Sequence, residues 1–106
     1  MTHPKNSITQ QTLQLPKLTP FSFGDAGCEM FTIKEGADLI EGLKIAADIS
    51  DGINQLCGRL YARINDGEIA YVSEVRALGF LGEVVCALAR SAQVSLQKQQ
   101  DAGGDQ

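Results

Sequence analysis

The sequence predicts a mainly α fold. It is a long antiparallel two-helix hairpin behind a short N-terminal β-strand or hairpin, and two copies are expected to dimerise into a four-helix bundle. Three observations lead there. Two long runs place apolar residues at strict 4-3 spacing, a tight turn signal separates them, and each run carries a second apolar stripe beside the first.

The first helix is expected over about 39–65. Asp38 is placed to cap it by accepting the backbone N–H of Glu41, and Glu41 sits at the position from which a capping box reaches back. Leu39, Leu43, Ala46, Ser50, Ile53, Cys57, Leu60 and Ile64 then form one stripe. Asn65-Asp66-Gly67 ends it, because glycine enters the left-handed conformation at low cost. The second helix is expected over about 69–98, with Ser73 as an alternative cap. Its stripe is Tyr71, Val75, Leu78, Gly82, Val85, Ala89, Ala92 and Leu96.

Each helix is then roughly 40 Å long, and so short a connection forces the two antiparallel. Under that pairing Gly52 meets Gly82. Gly42, Gly58 and Gly79 also fall in helix, each at a cost of about 1 kcal/mol relative to alanine. The closest approach of the backbones is expected at Gly52 and Gly82.

The second stripes are Ile45, Ile49, Gly52 and Leu56 on the first helix and Ala77, Leu81, Val84 and Leu88 on the second. A lone hairpin buries one stripe per helix. The other is unfavourable in water unless a second chain covers it. Ile45, Ile49, Leu56, Leu81, Val84 and Leu88 are therefore the dimer-interface candidates.

Ahead of the helices, residues 1–20 are polar and carry Pro4, Pro16 and Pro20, and read as a disordered arm. A single domain then spans 21–98, and residues 99–106 read as a disordered tail. Strand-forming residues concentrate at 28–33, after the turn signal Gly24-Asp25-Ala26-Gly27. Phe21 and Phe23, with Phe80 on the far side of the second helix from Leu78, are candidate partner-binding residues. Tyr61 and Tyr71 flank the turn and are expected to pack in the core.

The composition narrows the chemistry. The chain has 106 residues and a net charge of −4, with no run of basic residues to hold a nucleic-acid backbone. The opening Met1–Ser7 lacks the apolar run of a secretion signal, and no stretch is long and apolar enough to span a bilayer. A cytoplasmic protein with no nucleic-acid or membrane partner is expected. Cys28, Cys57 and Cys86 lack metal-site spacing and read as reduced core residues. The one histidine, His3, lies in the arm, which removes a Cys–His or Ser–His pair. Asp48, Asp51, Glu74 and Glu83 read as solvated charge. No catalytic, cofactor-binding or metal-ligating residue is expected.

Phe31, Ile33, Gly36, Asp38, Glu41, Leu43 and Ala46, followed by the small and apolar run from Val75 to Ala89, resemble a family of short bacterial proteins. That family is common in pseudomonads and is catalogued as a domain of unknown function. The similarity spans about residues 21–95. The chain departs from it at Gly42, where the family often has alanine. The resemblance implies a bacterial cytoplasmic setting and brings no catalytic residues.

The expected function is that of a non-enzymatic protein–protein interaction or regulatory module, acting as a homodimer and on a further protein partner. The alternative is a small-molecule binding protein using a cavity in the bundle, for which a pocket of about 300 Å³ or more is the signature.

Overall fold

The computed structural model describes residues 14–24 and 29–104, and is mainly helical. Helix α1 runs Leu39–Asn65 and helix α2 runs Val72–Gly104. Two short strands precede them, β1 (Ser22–Phe23) and β2 (Phe31–Thr32). The strands pair antiparallel, Ser22 opposite Thr32 and Phe23 opposite Phe31. A further bond from the Ile33 N–H to the Phe21 carbonyl, 3.1 Å, extends the ladder by one step. The hairpin form of the N-terminal element is the one that occurs. Cys28, at the start of the expected strand, lies outside the described residues.

Helix α1 starts as its sequence dictates. The Asp38 carboxylate accepts the Glu41 backbone N–H at 3.1 Å. Glu41 itself turns to the Lys44 ammonium 3.9 Å away, on an exposed surface. The helix ends in a Schellman motif. The Gly67 N–H bonds the Ile64 carbonyl, the Glu68 N–H bonds the Arg63 carbonyl, and Gly67 takes φ +86°.

Helix α2 begins three residues later than the periodicity places it, and Ser73 does not cap it. The Glu74 carboxylate reaches back to the Tyr71 N–H at 3.1 Å, which fixes the first turn at Val72. The same carboxylate lies 3.3 Å from the Arg63 guanidinium and so ties the two helix ends together across the turn. At the other end α2 continues through the residues expected to be a loose tail, as far as Gly104.

The helices pack antiparallel, with Gly42 beside Leu88 and Arg63 beside Glu74. Burial follows part of each expected stripe. On α1 it runs through Leu39, Gly42, Ala46, Ile49, Ile53 and Leu60, a line between the two stripes. On α2 it runs through Leu78, Leu81, Val85, Leu88 and Ala92. The apolar arc of each helix is wider than one stripe, so the seam takes members of both.

The core sits at the end away from the turn. Its buried apolar members are Leu18, Ile33, Leu39, Ala46, Ala87, Leu88 and Ala92, with Phe21, Phe23, Ala37, Val84 and Val85 packed against it. Leu18 corrects the expectation of an arm loose up to residue 20, since it is only 3% exposed. Residues 14–20 lie extended along α2. The Leu18 N–H bonds the Ala37 carbonyl at 2.8 Å, Thr19 bonds Ser95 through their hydroxyls at 2.6 Å, and the Ser91 hydroxyl donates to the Thr19 carbonyl. Residues 1–13 lie outside the described residues.

The expected close approach at Gly52 and Gly82 does not form. A β-carbon at either glycine would meet nothing within 4 Å. Crowding occurs at Gly42 instead, where an added β-carbon would lie 2.6 Å from a Leu18 methyl. The extended segment 14–20, not the second helix alone, makes the tight contact.

Candidate partner-binding surfaces

Three of the four phenylalanines meet at one place. Phe23 on β1 and Phe31 on β2 are cross-strand neighbours with ring centroids 5.8 Å apart. Phe80 rises from α2 to meet them, 6.3 Å from Phe23 and 5.1 Å from Phe31 in an edge-to-face contact. Two expected partner-binding residues, Phe23 and Phe80, are thus brought together. Phe21 is separated from them and packs against the core. Phe31, which the site expectation omitted, completes the group. Its signal was its strand position two residues before Ile33.

The group is only part-covered. Phe31 is 47% exposed, Phe80 37%, and neighbouring Met30 80%. They border an open cleft of about 800 Å³, together with Gly24, Arg76, Gly79 and Glu83. A strand edge, exposed aromatic rings and one charge of each sign at the rim suit contact with another polypeptide.

The dimer-interface candidates divide. Leu88 is buried in the chain's own core and Val84 packs against it. Ile49 and Leu81 are half-buried, while Ile45 and Leu56 remain exposed. Tyr61 and Tyr71, expected in the core, are 70% and 66% exposed. Cys57 and Cys86 are likewise exposed, not core residues.

Between the helices near the turn, Leu56, Leu60, Arg63, Glu74 and Ala77 line a groove of about 180 Å³. Among the described residues no group of three or more His, Cys, Asp or Glu side chains is placed to hold a metal ion. No described helix is long and apolar enough to cross a membrane.

These features define a helical hairpin with an extended segment and a two-stranded flap laid over one end. No family model, curated protein or solved structure matches the chain.

Proposed function

We propose that the protein is a non-enzymatic interaction module of the bacterial cytoplasm, a homodimer that presents the Phe23–Phe31–Phe80 cleft to another protein as a regulatory contact. The observation that carries this reading is the imbalance between its core and its surface. Among the described residues seven apolar side chains are buried, three of them alanines, while fifteen large apolar or aromatic side chains are exposed. A stable soluble domain of this size needs more burial than that, and association supplies it.

The space between the helices near the turn does not favour a ligand held within the bundle. The interhelical groove of about 180 Å³ falls below the roughly 300 Å³ of typical ligand sites. The cleft of about 800 Å³ reaches that size but lies between α2 and the strands, outside the helix pair. The bacterial cytoplasmic setting is part of this proposal and is what the resemblance stated for residues 21–95 implies.

Light scattering across a dilution series tests the reading. A mass of twice the 11.4 kDa chain is expected over the micromolar range. A chain that stays monomeric at every concentration overturns the homodimer. Loss of cleft-mediated association with a protein partner in Phe80→Ala, with the fold retained, is the matching expectation for the aromatic group.

A further inference from the structure

The helix layer has two sides, and they differ in a way that selects one for the second copy. One side is covered at the core end by residues 14–23 and the strands. Leu18 lies on it against Gly42, and Ser91, Ser95 and Phe80 mark the same side of α2. Among the described residues nothing lies over the opposite side. On α1 it carries Leu43, Ser50, Cys57 and Ile64, all exposed. On α2 it carries Val75, Gly82, Ala89 and Leu96, and a shallow groove runs between Leu43 and the Ala89–Leu96 turn.

This bare side is free of charge. None of those eight positions is charged, nor is any α1 or α2 residue three or four places from one of them, in a chain that is 21% charged. The covered side differs. Around Ile45, Gly52 and Leu56, the flanking positions include Glu41, Asp48 and Arg59. Depletion of charge on an exposed helix face is the compositional mark of an interface centre.

We infer that two copies of this chain pack through the bare face, Leu43–Cys57–Ile64 of α1 beside Val75–Ala89–Leu96 of α2, giving a four-helix bundle with the N-terminal segments on its two outer surfaces. This rests on the homodimer reading above and places its contact on the opposite side from the second apolar stripes. The size fits. Two adjacent helices about 40 Å long and together about 20 Å wide present roughly 800 Å², the area each partner gives to a standard stable interface. The charge fits as well. The lack of charge on this face leaves nothing there to repel an identical copy across a two-fold axis, despite the net charge of −4. Residues 1–13 offer little apolar surface to cover this face, with only Met1, Ile8 and Leu13 as large apolar side chains.

The test compares the two sides. Val75→Glu and Ala89→Glu put a charge on the bare face at exposed positions. Each is expected to raise the dimer dissociation constant at least a hundredfold, with helical circular dichroism unchanged. Leu56→Glu, on the covered side, is expected to leave the dimer intact. Dimers that survive both bare-face charges but dissociate with Leu56→Glu overturn the assignment while leaving the homodimer standing. A wild-type chain that never dimerises removes the homodimer and this face together. A second measurement avoids charge altogether. With Cys28→Ser and Cys86→Ser in place, alkylation of Cys57 by N-ethylmaleimide is expected to slow at least tenfold between the monomeric and dimeric concentration ranges. An unchanged rate across a mass change from monomer to dimer overturns the assignment.

Discussion

Gly42 is the residue on which the N-terminal segment turns. Its missing side chain leaves room for Leu18, which is buried beneath it. Alanine at Gly42 gains helix propensity of about 1 kcal/mol. It also pushes the Leu18 methyl out of a packed site, at a cost of about 1–3 kcal/mol. Gly42→Ala is therefore expected to leave the midpoint of urea unfolding unchanged or lower it. Gly58→Ala meets open space on the outer surface and is expected to stabilise by about 0.5–1 kcal/mol. If both alanines raise stability equally, Leu18 does not sit where the structure puts it. Leu18→Ala removes one of the few large core side chains and is expected to cost about 2–4 kcal/mol, read from the same unfolding curves.

At the level of elements, the turn between the helices is fixed from both sides. Gly67 holds the left-handed conformation that closes α1, and Gly67→Ala is expected to cost about 1 kcal/mol. Glu74 opens α2 by accepting the Tyr71 N–H and pairs with Arg63 on the other helix. Glu74→Gln keeps a weaker form of the first contact and loses the ion pair. The pair is partly exposed, so an effect of only about 0.5–1 kcal/mol is expected in urea unfolding, diminishing in high salt. An effect that salt does not reduce would mean that the capping bond, not the pair with Arg63, dominates.

The same elements show what the sequence carries. The helices, the Asp38 cap, the Gly67 stop and the antiparallel pairing were legible, because each rests on local chemistry or spacing. The side of each helix that meets the other was not. Two adjacent stripes make an arc broader than one contact, and periodicity records the arc without naming the neighbour. The docking of residues 14–20 was hidden for a different reason. Their proline, glutamine and threonine content resembles that of a loose arm. What holds them is a single leucine and the hydroxyls of Ser91 and Ser95, placed with Ala87 at steps of four along α2. Three small residues at that spacing form a shallow channel for an extended chain. The aromatic group was half legible, since Phe23 and Phe80 stood out by composition, while their meeting depends on how the strands fold over α2.

For the whole molecule, the uneven distribution of its core sets how it opens. The buried residues lie where α1 begins and where α2 is covered by residues 14–23, while among the described residues only the two helices hold the turn half of the hairpin. In a single chain, amides of residues 50–64 and 72–80 are therefore expected to exchange with solvent faster than those of 39–49 and 84–95, because local opening there exposes little buried apolar surface. The bare face runs along the whole stretch where the two helices pair, so a second copy packed against it would protect the turn half most. Hydrogen exchange at low and high protein concentration reads this directly. The expected result is a rise in protection concentrated in the turn half as dimer forms, accompanied by a concentration-dependent melting temperature. If dimerisation protects only the end covered by residues 14–23, the second copy sits on the N-terminal flap, and the turn half must be held by some other partner.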